Sequence, residues 1–353
     1  MTNRMRLGQP TAPSAQELLE RCRRMVQPAL RDTVDRLPPG VRHMAAFAFG
    51  WSDADGVVRS EGMGKGLRPA LTMLSAEAVG GSAEDAVAGA VAVELVHAFS
   101  LIHDDIMDGD ERRRHQETLW KAFGVGPAML AGDALLSLAF ATVSGTAAAE
   151  AAEMLSTALI ELVDGQADDI AFEDRPWTGA DAVTVDDYTR MAANKTGSLL
   201  ACSAGLGALF GGGSPTATAA FATAGSRLGG GFQAIDDLLG IWGDPAVTGK
   251  PVFNDLRRRK KTLPVVFALG VDDAAHAPAL VRLLDAEPDA SDADLTVRRA
   301  ADLIEQVGGR SFTEDQAEGQ LSQALEVVDD VAVNRRAAAE LTALARFIAD
   351  RSH

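Results

Sequence analysis

Three aspartates, Asp104, Asp105 and Asp108, precede three arginines, Arg112, Arg113 and Arg114, in the stretch LIHDDIMDGDERRRH at 101–115. On a helix, side chains four positions apart stack on one face, so Asp104 and Asp108 point the same way about one turn apart. Two like charges held there repel. A divalent cation removes that repulsion, and carboxylate oxygens suit Mg²⁺. Arginines just beyond suit an anion such as phosphate, which a guanidinium grips through paired hydrogen bonds. Carboxylates, metal and arginines together describe a diphosphate site. A solvated, charged helix end would carry the same residue types, and this stretch alone does not separate the two readings.

A second stretch, GGGFQAIDDLLGIWGD at 229–244, sets Asp236 beside Asp237 among Phe232, Ile235, Leu238, Leu239 and Ile241. Unpaired carboxylates are costly among apolar side chains. A cap or surface turn would account for one such pair, but two pairs in apolar helical settings are better explained by a shared ligand. Facing each other across a cavity, the pairs would hold several Mg²⁺ ions and one diphosphate between them. Smaller groups fit around that site. Lys65 and Arg68, in GKGLRP, stand three apart at an expected helix start, where the helix dipole favours an anion. His97 lies two turns before Asp104 on the same expected helix. Gln166 and Asp169 place an amide and a carboxylate three apart, and Lys195 and Thr196 put a cation and a hydroxyl beside Gly197. The run GKPVFNDLRRRKKT supplies Lys250, Lys260 and Lys261 after the second aspartate pair, in an otherwise acidic chain. A surface loop would explain either basic segment on its own.

The elements that must position these residues are helices. The chain has 353 residues, 47% of them hydrophobic, enough for a large core. Its net charge of −17 disfavours nucleic acid or an anionic membrane surface as a main partner. Cys22 and Cys202 make no disulfide framework, which fits a reducing, cytoplasmic setting. The first residues lack the apolar core of a secretory signal, and 1–13 reads as a disordered leader. No eighteen-residue uncharged stretch has spanning character. Apolar spacing and breakers predict helices over 14–31, 69–79, 83–108, 127–144, 147–173, 186–209, 216–242, 263–269 and 334–351. Ser14 is the expected N-cap of the first. His115–Phe123, numbered 115–123, reads as a connection, and 271–295 as an acidic mobile loop or insert. Few β-strands are expected. The fold class is all-α, one large helical domain over 14–353.

Taken in order, these motifs resemble those of trans-isoprenyl diphosphate synthases, the polyprenyl synthetase family. DDIMD with Arg113 and Arg114 resembles the family's first aspartate-rich motif, and FQAIDD followed by Gly243 and Asp244 resembles the second. Lys65 with Arg68, Gln166 with Asp169, the KTG at 195–197 and the GK…D…KK…LP pattern at 249–264 also match, so the resemblance runs unbroken over 63–264. It implies an isoprenoid-synthase bundle around a central apolar cavity, a homodimer, and about three Mg²⁺ ions per active site. The reaction implied is condensation of isopentenyl diphosphate with an allylic diphosphate. By this resemblance Asp104, Asp108, Lys195, Asp236 and Lys260 carry the chemistry. Lys65, Arg68, His97, Arg113, Arg114, Gln166, Thr196, Phe232, Gln233 and Lys250 bind substrate. Asp104, Asp105, Asp108, Asp169, Asp236 and Asp237 hold metal. Phe99 and Ser100, five and four residues before Asp104, set product length, with geranylgeranyl diphosphate expected and farnesyl diphosphate the alternative.

Two positions depart from the pattern. Gly240 stands where the second motif usually ends in aspartate, and Gly66 replaces an inner arginine of the GGKRxRP pattern. The first departure leaves open a terpene cyclase on the same fold, or a non-catalytic prenyl-diphosphate-binding subunit.

Overall fold

The computed structural model describes residues 13–59, 66–113, 116–144, 148–248, 251–271, 276–286 and 292–349. The leader and the segment carrying Lys65 fall outside them, as do Arg114 and Lys250. In chain order the long helices of the first half are α1 (Ala15–Val34), α2 (Pro39–Ala48), α3 (Leu67–Ala78) and α4 (Val87–Met107). A two-stranded ribbon, β1 (Arg112–Arg113) and β2 (Gln116–Glu117), follows, then α5 (Leu119–Phe123), α6 (Val125–Val143) and α7 (Ala148–Asp174). The second half holds α8 (Val185–Ala192), α9 (Ser198–Phe210), α10 (Pro215–Trp242), the short α11 (Pro245–Thr248) and α12 (Asn254–Arg257), α13 (Leu263–Gly270), α14 (His276–Leu284), α15 (Ala293–Gln306), α16 (Gly309–Val331) and α17 (Arg335–Ala349).

Local chemistry starts these helices where expected. Ser14 caps α1 through a reciprocal pair with Glu17: its Oγ accepts from the Glu17 N–H at 3.3 Å, and Glu17 accepts from the Ser14 N–H at 2.7 Å. Ser214 caps α10 with Pro215 in the first turn. Helix α4 is buried on nearly every side, from Gly89 to Asp105, as a helix apolar all round must be. It lies between α3 and α6, while α9 and α10 pack together and α16 covers α10. The main core runs through these helices.

Three departures from the sequence reading have physical reasons. The connection 115–123 contains β2 and α5, because the chain must turn back sharply after α4 to bring Arg113 against it. The single helix expected over 186–209 is interrupted at Ala193–Gly197 by a π-helical turn. The stretch 271–295 is not one loop: α14 lies within it and buries Leu280 and Leu284. These two join Ile241, Leu256, Val265, Ala268 and residues of α15 in a second, smaller hydrophobic cluster. That cluster anchors the basic segment 251–261 beside α10.

Candidate active site

Adjacent carboxylates on a helix diverge by about 100°, and each pair uses that divergence. At the end of α4, Asp108 is the C-cap, its N–H donating to the Asp104 carbonyl at 2.8 Å. Gly109, at φ +65°, turns the chain, and the ribbon carries Arg113 back to Asp105. The guanidinium donates to one carboxylate oxygen from Nε at 2.8 Å and from Nη2 at 2.7 Å. Asp105 is only 5% exposed; burial pushes its pKa up and Arg113 opposes that. Asp105 and Arg113 are therefore committed to each other. Asp104 and Asp108 share another side of the helix. Burial raises the Asp104 pKa to about 6, against the pull of Lys195 and with a further push from Asp108.

The π-helical turn supplies Lys195. A π turn inserts an extra residue into the helical path and recurs at functional sites. Here it brings Lys195 and Thr196 to opposite neighbours. Lys195 Nζ donates to Asp169 on α7 at 2.5 Å and also feels the charge of Asp104. Thr196 Oγ1 donates to Gln233 on α10 at 2.7 Å. The turn is clamped closely: a Cβ on Gly165 would come within 2.2 Å of the Lys195 nitrogen. Asp169, expected as a metal ligand, is in this structure the partner of Lys195.

The second pair is answered by neutral groups. Asp237 is 3% exposed. The Tyr188 hydroxyl donates to its Oδ2 across a short hydrogen bond, and the Leu263 N–H donates to the same oxygen at 2.9 Å. Gln233 Nε2 donates to Oδ1 at 3.0 Å. Burial pushes the Asp237 pKa up to about 7 despite these donors. Both oxygens are thus committed to protein, and Asp237 ties α8, α10 and α13 together. The sequence reading expects Asp237 as a metal ligand; in this structure its oxygens accept these three hydrogen bonds. Asp236 is half-buried one position around the helix, and Phe232, a turn earlier, packs on the main core.

The segment after α12 crosses to the first aspartate group. Lys260 Nζ lies 3.6 Å from Asp108, and Arg258 reaches Asp110 at 2.9 Å and Asp108 at 3.9 Å. Nothing local in RRRKK distinguishes Arg258 from Arg257 or Arg259. Lys261, next to Lys260, turns away: it donates to the carbonyls of Phe172 at 2.5 Å and Glu173 at 3.1 Å, at the C-terminal end of α7, where a cation complements the helix dipole.

Arg68 and His97 meet as their spacing on separate helices does not reveal. Arg68 Nη1 lies 3.3 Å from His97 Nε2, and both side chains are half-buried. Gly66, the second departure from the family pattern, is the N-cap of α3 at φ +68°, a conformation in which glycine avoids the Cβ strain an arginine would carry. Gln166 is 6% exposed, yet neither amide atom has a partner in the protein. An orphaned buried amide costs free energy unless a ligand meets it. Phe99 is buried, its ring 4.6 Å from that of His103 and against Gly132 of α6. The smaller Ser100 donates to the His97 carbonyl at 2.9 Å.

Among the described residues no three of His, Cys, Asp and Glu close around one point to cage a metal. The donor set still fits a hard cation, because Mg²⁺ retains several waters and is held by one or two carboxylates plus substrate phosphates. Asp104 and Asp108 offer carboxylate oxygens of that kind, set one turn apart.

A helical bundle bearing two aspartate segments and convergent cations defines the isoprenoid-synthase class of enzyme. The polyprenyl synthetase family model matches residues 58–300. The (2E,6E)-farnesyl diphosphate synthase of Mycobacterium tuberculosis is 40% identical, covering 98% of this chain and 97% of its own. The geranylgeranyl diphosphate synthase of the same species is 41% identical, covering 92% and 91%. The crystal structure of a polyprenyl synthetase from Streptomyces coelicolor is 46% identical, with a TM-score of 0.87 over 95% of this chain and 99% of that one. The chain belongs to the polyprenyl synthetase family, and its activity is that of a short-chain trans-prenyltransferase. Such enzymes need a divalent metal.

Proposed function

We propose that this enzyme joins isopentenyl diphosphate to an allylic diphosphate in a Mg²⁺-dependent reaction and makes mainly geranylgeranyl diphosphate, with farnesyl diphosphate as the alternative. The observation that carries the reading is the convergence of cations from distant segments on the first aspartate group: Lys195 from the π turn, and Lys260 and Arg258 from beyond α12. Asp104, Asp108 and Asp236 would hold Mg²⁺. Bound there, the metal supplies Lewis-acid charge to the departing diphosphate.

The chain's own residues do the rest. Lys195 and Lys260 place fixed positive charge where the allylic carbon–oxygen bond breaks and diphosphate leaves with the electron pair. Asp169 holds Lys195 in position for that work. Arg68 and His97, together with Lys65, bind the diphosphate of isopentenyl diphosphate. Its double bond attacks the allylic carbon, a carbon–carbon bond forms, and a proton is lost to the departed diphosphate. Gln166, Thr196, Phe232 and Gln233 line the reacting end, where burial excludes water that would otherwise capture the cation. Arg113 contributes by keeping Asp105 paired. Phe99, a large buried ring five positions before Asp104, would limit the room for the growing chain, which supports the geranylgeranyl product; the two mycobacterial relatives do not decide length, since their identities are nearly equal.

The protein works as a homodimer in this reading. Val125, Met129 and Leu130 on α6, with Ile160 and Val163 on α7, are exposed. Among the described residues two helices, 84–107 and 125–143, are long and apolar enough to cross a membrane, though Glu94 interrupts the first and Asp133 the second. The first is 67% buried in the core, but the second only 28%. A second copy covering α6 and α7 accounts for that apolar face. The free, buried thiols of Cys22 and Cys202 support a cytoplasmic location.

The assay incubates purified protein and Mg²⁺ with farnesyl diphosphate, with and without isopentenyl diphosphate. Geranylgeranyl diphosphate formed only when both are present is the expected result. Hydrocarbon released without isopentenyl diphosphate, or no turnover, would overturn the reading.

A further inference from the structure

Position 240 lacks the acidic side chain that would follow Asp236 on the same face of α10, one turn along. The space beside it is nevertheless filled by acid. A Cβ built on Gly240 would meet Asp255 Oδ2 at 1.9 Å and its Cγ at 2.5 Å. The carboxylate of Asp255 therefore occupies the volume that a side chain at 240 would enter.

Asp255 is held there by the backbone. It is the second residue of α12, and the N-cap of that helix, Phe253, donates its N–H to the Ile241 carbonyl of α10 at 3.0 Å. Phe253 at φ +62° and Arg259 at φ +54° both adopt left-handed conformations that side chains other than glycine rarely take. They bracket a tight excursion. Within it Asn254 Nδ2 lies 3.3 Å from Asp255 Oδ1, leaving Oδ2 on Gly240. The Lys260 N–H donates to the Asp255 carbonyl at 2.9 Å, so one segment sends a carboxylate to α10 and, through Lys260 and Arg258, cations to α4.

We infer that Asp255 supplies from α12 the carboxylate that α10 lacks at 240, completing with Asp236 the acidic face that takes the divalent cation. This rests on the reading of Asp104, Asp108 and Asp236 as the metal-holding residues. Glycine at 240 is then an accommodation: an aspartate there would drive its own Cβ into Asp255. The donor set fits, because an exchange of one carboxylate for another preserves hard oxygen ligation whichever segment provides it.

The test is Mn²⁺ titration of the full-length protein in the presence of inorganic pyrophosphate, with free Mn²⁺ read by electron paramagnetic resonance. Asp255→Asn keeps the shape and removes the charge, and Mn²⁺ binding is expected to weaken by about tenfold or more. Gly240→Asp alone crowds the two carboxylates and should also weaken it. The exchange Gly240→Asp/Asp255→Gly moves the carboxylate onto α10 and should recover most of the loss. Unchanged Mn²⁺ affinity in Asp255→Asn, or an exchange variant no better than Asp255→Asn, would overturn the proposal. Asp104→Asn is the control: if it weakens Mn²⁺ binding while Asp255→Asn does not, only the role of Asp255 fails. If neither does, the metal reading itself fails.

Discussion

The two aspartate segments solve the same problem with different partners. On α4 the buried member of the pair, Asp105, is neutralised by a full positive charge, Arg113. On α10 the buried member, Asp237, accepts from a hydroxyl, an amide and a backbone N–H, with no cation among its hydrogen-bond partners in the described residues. The difference follows from depth. Near the end of α4 a guanidinium reaches the pair from a surface ribbon and keeps part of its side chain in water. Around Asp237, walled in by α8, α10 and α13, a cation would have to be buried as well, at a cost that dipolar donors avoid. In both segments one carboxylate of the pair is buried and braces the scaffold, and in the proposed function its neighbour takes the ligand.

That comparison can be broken most decisively at the ligand-facing members. Asp104→Ala and Asp236→Ala should each reduce kcat by about a thousandfold or more, as expected when charge stabilisation specific to the transition state is lost. Both proteins should remain folded, since each change relieves carboxylate crowding. Steady-state kinetics beside circular dichroism checks this, and near-normal turnover in either variant would end the assignment.

The bracing members should show the opposite balance. Asp237→Ala strands the Tyr188 hydroxyl, the Leu263 N–H and the Gln233 amide in the core, and should lower the unfolding free energy by about 3 kcal/mol. Asp105→Ala, nearer the surface but leaving Arg113 unpaired, should cost about 2 kcal/mol. Urea denaturation gives both numbers. A stability loss in Asp104→Ala as large as in Asp237→Ala would erase the distinction.

A smaller effect separates the two substrates. Arg68→Ala, and likewise Lys65→Ala, should raise KM for isopentenyl diphosphate by about tenfold, the loss of one charge-assisted contact, while leaving the allylic KM nearly unchanged. Lys195→Ala should fall mainly on kcat, because Lys195 neighbours Asp104 and the leaving group. Equal weakening of both substrates in all three variants would show that the site is not partitioned this way.

The smallest effect in rate, though visible in product, lies upstream on α4. Phe99→Ala removes the ring packed on His103 and Gly132 and should shift products to longer chains. Ser100→Phe should shorten them. Chromatography of dephosphorylated products decides it, and an unchanged distribution in Phe99→Ala would move the floor of the cavity to another helix.

The sequence by itself determined the helices, because apolar periodicity and caps such as Ser14 are written locally. It determined that Asp104 and Asp108 share a face, because four residues make about one helical turn. The order of the motifs determined the family. It did not determine which carboxylate of each adjacent pair faces inward. That depends on Arg113 arriving by a ribbon, and on Tyr188 and Leu263 arriving from helices distant in the chain. Nor did it separate Lys260, which reaches Asp108, from Lys261, which caps α7. The carboxylate of Asp255 beside Gly240 is the sharpest case. Position 240 reads as a missing ligand along the chain, because chain order records neighbours in sequence. Only packing brings α12 onto α10, and burial and charge at each position are set by whatever side chains the fold places there.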